Sequence, residues 1–184
     1  MVEIKKLNQF TIEDQMKLGR NGYSSNGKYV IEKSENEELT TISIRHIILE
    51  KPYEKDWLHH EYDIERYQEM LPLGFSFGAY EGEALIGVAI VEPRDWNKTL
   101  WLWELHVSDR HREQGVGKAL IERVCQEAKQ KGYRVVGLEV QNTNMPAISF
   151  YRKVGFLIEA VDLSFYTNND IKDGEVAIFM KRKF

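Results

Sequence analysis

Arg112-Glu113-Gln114-Gly115-Val116-Gly117-Lys118 follows a bulky apolar run, Leu100–Val107, and opens a segment in which Val116, Leu120, Val124 and Ala128 recur at helical spacing. The run before it reads as a strand, and Val116–Lys131, closed by Gly132, reads as an amphipathic helix. Two glycines one residue apart at this junction let the backbone turn tightly and present successive N–H groups unobstructed by side chains. Those amides and the positive end of the helix dipole favour an anion such as a pyrophosphate, with Arg112 and Lys118 adding charge at the rim. Taken alone, such a Gly-x-Gly also serves as a plain helix-entry turn. Its spacing is neither the dinucleotide fingerprint nor a Walker loop, and it comes late in the chain, after a hairpin.

Working outward, Val2–Leu7 alternates and predicts a first strand, whereas residues 8–38 are polar, with Asn21-Gly22 and Asn26-Gly27 as turn signals. Leu39–Leu49 predicts a strand with Ile42, Ile44, His46 and Ile48 on one face. Trp57–Leu71 predicts a helix stopped by Pro72, and Phe75–Tyr80 and Ala84–Val91 a hairpin turning at Glu81-Gly82-Glu83, with Pro93 ending its second strand. After the Gly-x-Gly helix come a strand at Arg134–Val140, a helix at Asn144–Val154 ended by Gly155, and strands at Phe156–Tyr166 and Glu175–Met180. No repeat or linker divides the chain, so residues 1–184 are expected to form a single domain, α/β or α+β, around a mixed sheet.

Composition narrows the function. Apolar residues make up 42% of the 184, enough for a packed core, and the net charge of −4 argues against nucleic acid and for a cationic partner. The single Cys125, in an apolar setting, is expected to be a buried hydrophobe rather than a nucleophile. No apolar run approaches a membrane span and the first residues lack a signal-peptide core, so a cytoplasmic location is expected. His59, His60, His106 and His111 show no metal-ligand spacing, and no metal is expected. A homodimer stays open.

Asn144-Met145-Pro146-Ala147-Ile148-Ser149-Phe150-Tyr151-Arg152-Lys153-Val154-Gly155-Phe156 opens the second of these helices directly after a strand. The Arg-x-x-Gly-x-Gly loop followed by Asn-x-x-Ala-x-x-Phe-Tyr-x-x-x-Gly-Phe resembles the GCN5-related N-acetyltransferase (GNAT) superfamily over Leu100–Phe156. The GNAT fold so implied is a twisted, mostly antiparallel sheet flanked by helices, whose central parallel strands splay around acetyl-CoA. Pro52–Asp56, Trp96-Asn97, Leu138–Gln141 and Val161–Tyr166 are similar to segments of streptothricin acetyltransferases. Three positions depart from that pattern: Glu113 brings a negative charge beside the loop arginine, Trp103 stands where an acid is expected, and Met180-Lys181 replaces an aromatic pair.

The resemblance implies a role for each matching residue. Arg112, Glu113, Gln114, Gly115, Val116, Gly117 and Lys118 hold the pyrophosphate through backbone amides. Leu105, His106 and Val107 pair with the pantetheine arm, a backbone N–H there polarises the thioester carbonyl, and Asn144 hydrogen-bonds the same arm. Tyr151 protonates the departing thiolate; as a helix aromatic it also suits a half-buried packing position. Glu104, an acid on a strand of Trp and Leu, is either solvent-facing or the base that deprotonates the substrate ammonium, its pKa raised near Trp101 and Trp103. Tyr53, Asp56, Asp162 and Tyr166 are expected to shape an acidic, aromatic pocket for a small cationic amine, streptothricin above all. The alternatives are another amine (a protein N-terminus, a polyamine, an aminoglycoside) or a non-catalytic acyl-CoA-binding regulatory domain.

Overall fold

The computed structural model describes residues 1–57 and 61–184. In chain order its elements are β1 (Val2–Lys6), α1 (Ile12–Leu18), β2 (Gly22–Glu35), β3 (Thr40–Asp56), α2 (Glu61–Met70), β4 (Phe77–Glu81), β5 (Ala84–Arg94) and β6 (Thr99–Val107). They continue with α3 (Val116–Gln130), β7 (Val135–Gln141), α4 (Met145–Lys153), β8 (Leu157–Asp162), α5 (Asp170–Asp173) and β9 (Ala177–Lys183). Two compact units form: Met1–Asn21 with Asp56–Leu138 and Arg182–Phe184, and Gly22–Lys55 with Glu139–Lys181.

In the first unit the strand order is β1-β4-β5-β6-β7. The first four strands are antiparallel to their neighbours, and β6 runs parallel to β7. Val88 and Ile90 of β5 pack with Leu7, Phe10, Leu18, Ile64, Met70 and Leu71 in one apolar cluster. Helix α3 buries the stripe its spacing predicts, Val116, Leu120, Val124 and Ala128, together with Ile121 and Cys125. Cys125 is thus a packed hydrophobe, and burial pushes its thiol up to about 11. In the second unit β9 and β8 pair antiparallel, and β2 with β3 forms a separate two-stranded sheet. The mixed, mostly antiparallel α/β architecture is the expected one.

Local expectations failed at definite places. The polar stretch 8–38 contains α1 and β2. Thr11 caps α1 in a capping box with Asp14, and β2 buries Tyr23, Ser25, Gly27, Tyr29 and Ile31 in strict alternation. Asn26-Gly27 is therefore no turn. A Cβ on Gly27 would lie 2.6 Å from His46 Nε2 and 2.8 Å from the Ile47 carbonyl, so glycine is what lets β2 and β3 approach. His46 is exposed and meets the Tyr29 ring edge-on, while Ile42 and Ile48 are solvent-facing. Pro93 does not end β5, which runs to Arg94: Ala89 is the last residue paired with β4, and Pro93 pairs with β6 alone, opposite Leu100. The predicted strand to Tyr166 stops at Asp162, whose carboxylate accepts from the Ser164 N–H and turns the chain.

Candidate active site

Strand β6 changes partners along its length. It pairs in parallel with β7 from Thr99↔Val135 to Leu102↔Leu138, where the pairing ends. On its other edge it stays on β5 to Val107, but the register slips by one residue between Ile90↔Glu104 and Val91↔Leu102. Trp103 is the extra residue, a β-bulge, which bends a strand and re-aims the side chains beside it. Its indole Nε1 donates to Glu92 at 2.9 Å, and Arg66 lies 3.7 Å over its ring. Beyond the bulge the parallel pairing with β7 does not continue, the kind of strand edge along which an extended ligand can lie.

Glu104 follows the bulge directly. Opposite Ile90, it shares the β5–β6 face that carries Val88 and Ile90 in the apolar cluster. The residue is half-buried, but its carboxyl sits deep in protein, and loss of hydration raises its pKa to about 7. The Tyr67 hydroxyl, donating to Oε2 at 3.2 Å, pulls the other way, and Asp63 adds to the rise. A carboxyl poised near neutrality on an open-edged strand suits general acid–base work. Sequence reasoning chose Glu104 but not Tyr67, since nothing in the charged pattern of α2 marks which of its residues meets β6.

The Gly-x-Gly turn has the backbone an anion site needs. Glu113 (φ 61°) and Gly115 (φ 85°) are both left-handed, and Gly115 has no side chain with which to cap α3. The first intrahelical bond is Ala119 N–H to the Gly115 carbonyl at 2.9 Å, so the amides of Val116, Gly117 and Lys118 have no acceptor within the helix. A Cβ on Gly115 would meet nothing within 4 Å, which leaves the approach open. These features fit a pyrophosphate. Arg112 is placed differently from the rim charge expected of it. Its guanidinium donates to the carbonyls of Val107 and Arg20, both at 3.3 Å, and pairs with Asp109 at 3.0 Å. It shapes the loop rather than standing free to reach a ligand.

The other expected residues divide between the units. In the second, Asn144 caps α4 by accepting from the Ala147 N–H at 3.1 Å, and Tyr151 is half-buried with its ring against Phe150 and Phe156. Tyr53 and Tyr166 line a cavity of about 300 Å³ with Glu175, Asp170 and Asp173, and with one cation, Lys28. Tyr53 donates to Glu175, which Lys55 also binds at 2.6 Å, and Tyr166 donates to Glu139. Burial raises the pKa of Glu139 and, most strongly, of Tyr166. Asp162 and Asp56 do not line this cavity. Asp162 holds its own turn, and Asp56 belongs to the first unit, where Arg20 binds it at 2.5 Å. Glu139 and Glu175 are the acids that sequence reasoning missed. Among the described residues no group of three or more His, Cys, Asp or Glu is arranged for a metal ion, and no helix is long and apolar enough to cross a membrane. His59 and His60 lie outside the described residues.

A family model described as "Acetyltransferase (GNAT) family" matches residues 43–156. The chain is 31% identical to streptothricin acetyltransferase A of Bacillus subtilis (strain 168) over 134 residues, 73% of this chain and 75% of that one. It is 34% identical to a streptothricin acetyltransferase of Streptomyces lavendulae over 96 residues, 52% of this chain and half the length of that protein. A crystal structure of a Bacillus anthracis protein in complex with acetyl coenzyme A superposes with a TM-score of 0.74. It is 25% identical, over 100% of this chain and 98% of that one.

Proposed function

We propose, for a chain that belongs to the acetyltransferase (GNAT) family, that it transfers the acetyl group of acetyl-CoA to a primary amine of a small cationic molecule, with streptothricin as the favoured acceptor. The observation that carries the chemistry is on β6, where parallel pairing ends at Leu102, the strand bulges at Trp103, and a carboxyl with a pKa of about 7 follows at once. The cationic acceptor is supported by the acid- and tyrosine-lined cavity of the second unit and by the named activity of the two relatives.

Acetyl-CoA supplies an acyl group activated as a thioester. The amides of Val116, Gly117 and Lys118 hold the pyrophosphate, and the β6 edge at Leu105–Val107, past its last pair with β7, lines up with the pantetheine arm as an added strand would. A backbone N–H on that edge stabilises charge developing on the carbonyl oxygen. Glu104 takes the proton of the substrate ammonium, directly or through water, which frees the lone pair that forms the N–C bond. As the C–S bond breaks, Tyr151 gives its proton to the departing sulfur, the acylated nitrogen sheds its second proton to solvent, and Tyr151 is reprotonated from solvent. Holding amine and thioester together removes much of the entropic barrier.

An acetyl-CoA-dependent thiol-release assay with streptothricin, spermidine, kanamycin and a ribosomal N-terminal peptide tests this. Release with streptothricin well above the other three is the expected result. Release with the peptide alone would replace the acceptor, and acetyl-CoA binding without release for any amine would leave an acyl-CoA-binding domain.

A further inference from the structure

Tyr67 on α2 hydrogen-bonds Glu104, and that contact ties the strand bearing the carboxyl to a helix beside the apolar cluster. Tyr67 Oη donates to Glu104 Oε2 at 3.2 Å, and the tyrosine packs against the cluster that includes Val88 and Ile90. That packing restricts the ring, so the hydroxyl has few ways to turn from the carboxyl. The tyrosine cannot act as the proton acceptor itself, because burial and the neighbouring Glu104 raise its own pKa. It can only donate.

We propose that Tyr67 is a positioning residue for the reaction: its hydroxyl holds Glu104 Oε2 and presents the remaining oxygen to the incoming ammonium, while Asp63, one turn back on the same side of α2, acts on the same carboxyl. This rests on Glu104 being the base. The two α2 groups act in opposite senses. A hydroxyl that donates to a carboxylate favours the charged form, while the negative Asp63 opposes it. Arg66, also on α2, is drawn over the Trp103 ring at 3.7 Å. His106 lies two residues on along the same face of β6, and β5 contributes the apolar Val88 and Ile90. Spacing along α2 explains the pairing, because Asp63 and Tyr67 are four residues apart and so share one side of the helix.

The test is a carbon-13 NMR titration of the glutamate side-chain carboxyls, with the Glu104 signal assigned by its loss in Glu104→Gln, alongside pH profiles of kcat/KM. In Tyr67→Phe the Glu104 midpoint should rise by about one pH unit, the size of one charge-assisted hydrogen bond. In Asp63→Asn it should fall by a few tenths of a unit, as expected for one half-screened charge. A packing role alone would move neither midpoint, so unchanged midpoints in both folded variants would overturn the proposal. If Tyr67→Phe does not fold, the Asp63→Asn shift alone decides, and a rise or no movement there overturns it. Rate profiles that follow the NMR midpoints make the positioned carboxyl the one that limits catalysis. Midpoints that move while the rate profiles stay fixed keep the Tyr67–Glu104 coupling and remove Glu104 from the chemistry.

Discussion

Replacing Glu104 with Gln keeps the side chain's shape and its hydrogen bond with Tyr67 while deleting a charge that the fold tolerates poorly. Burial raises the carboxyl from an ordinary 4.5 to about 7. Below pH 4.5 it is neutral in both folded and unfolded chains and costs nothing. Between 4.5 and 7 the unfolded chain gives up the proton first, so the wild type loses stability as pH rises, and above 7 the loss is complete. At about 1.4 kcal/mol per pH unit the whole effect is on the order of 3 kcal/mol, most of which falls between pH 5 and 8.5. Glu104→Gln does not titrate, so its stability relative to wild type should climb by that amount across the same range and then level off. Urea unfolding followed by tryptophan fluorescence suits the measurement, because Trp57, Trp96, Trp101 and Trp103 all lie in the unit that holds Glu104. Two unfolding curves that stay parallel from pH 5 to 8.5 would falsify deep burial of this carboxyl, and with it the physical basis for a base poised near neutrality. The same pair of proteins reads the chemistry: wild-type kcat/KM should rise with a midpoint near pH 7, and Glu104→Gln should lose that limb and recover part of its rate as solution supplies free amine.

The remaining predictions concern the loop and the acid. Glu113→Gly removes a left-handed non-glycine residue and a negative charge beside the anion site; it should stabilise the protein by up to about 1 kcal/mol and tighten acetyl-CoA binding, and calorimetry showing weaker binding would contradict this. Gly19→Ala should destabilise by roughly 1–3 kcal/mol, since Gly19 has φ 100° and its Cβ would lie 2.6 Å from the Asp109 carboxylate that receives the Arg20 N–H; a thermal midpoint equal to wild type would be the contrary result. Tyr151→Phe should keep acetyl-CoA affinity within a few-fold and lower kcat by roughly 10²–10⁴, and a wild-type rate would reduce Tyr151 to the aromatic packing it shares with Phe150 and Phe156.

What the sequence determined by itself was local: the α3 stripe and its Gly-x-Gly entry, the hairpin at Gly82, the helix opening at Asn144, and the candidacy of Glu104. Each depends on neighbours within a few residues, where helical and strand periodicity, turn chemistry and capping operate. Even there the signal failed where buried positions are not apolar. Strand β2 hides Ser25 and Gly27 among tyrosines, so its alternation is invisible to hydropathy, and Gly27 serves a close approach of backbones that only the paired strand reveals. Only the tertiary structure decided the bulge at Trp103, since a register slip is a relation between two strands and leaves no trace in either one. It likewise decided which acids matter: Asp56 and Asp162 are taken up by Arg20 and by a local turn, whereas Glu139 and Glu175 face the tyrosines. And it gave Glu104 its proton affinity, because desolvation sums over everything packed around a carboxyl, and Tyr67 and Asp63, the groups that adjust it, lie far away in the chain on α2.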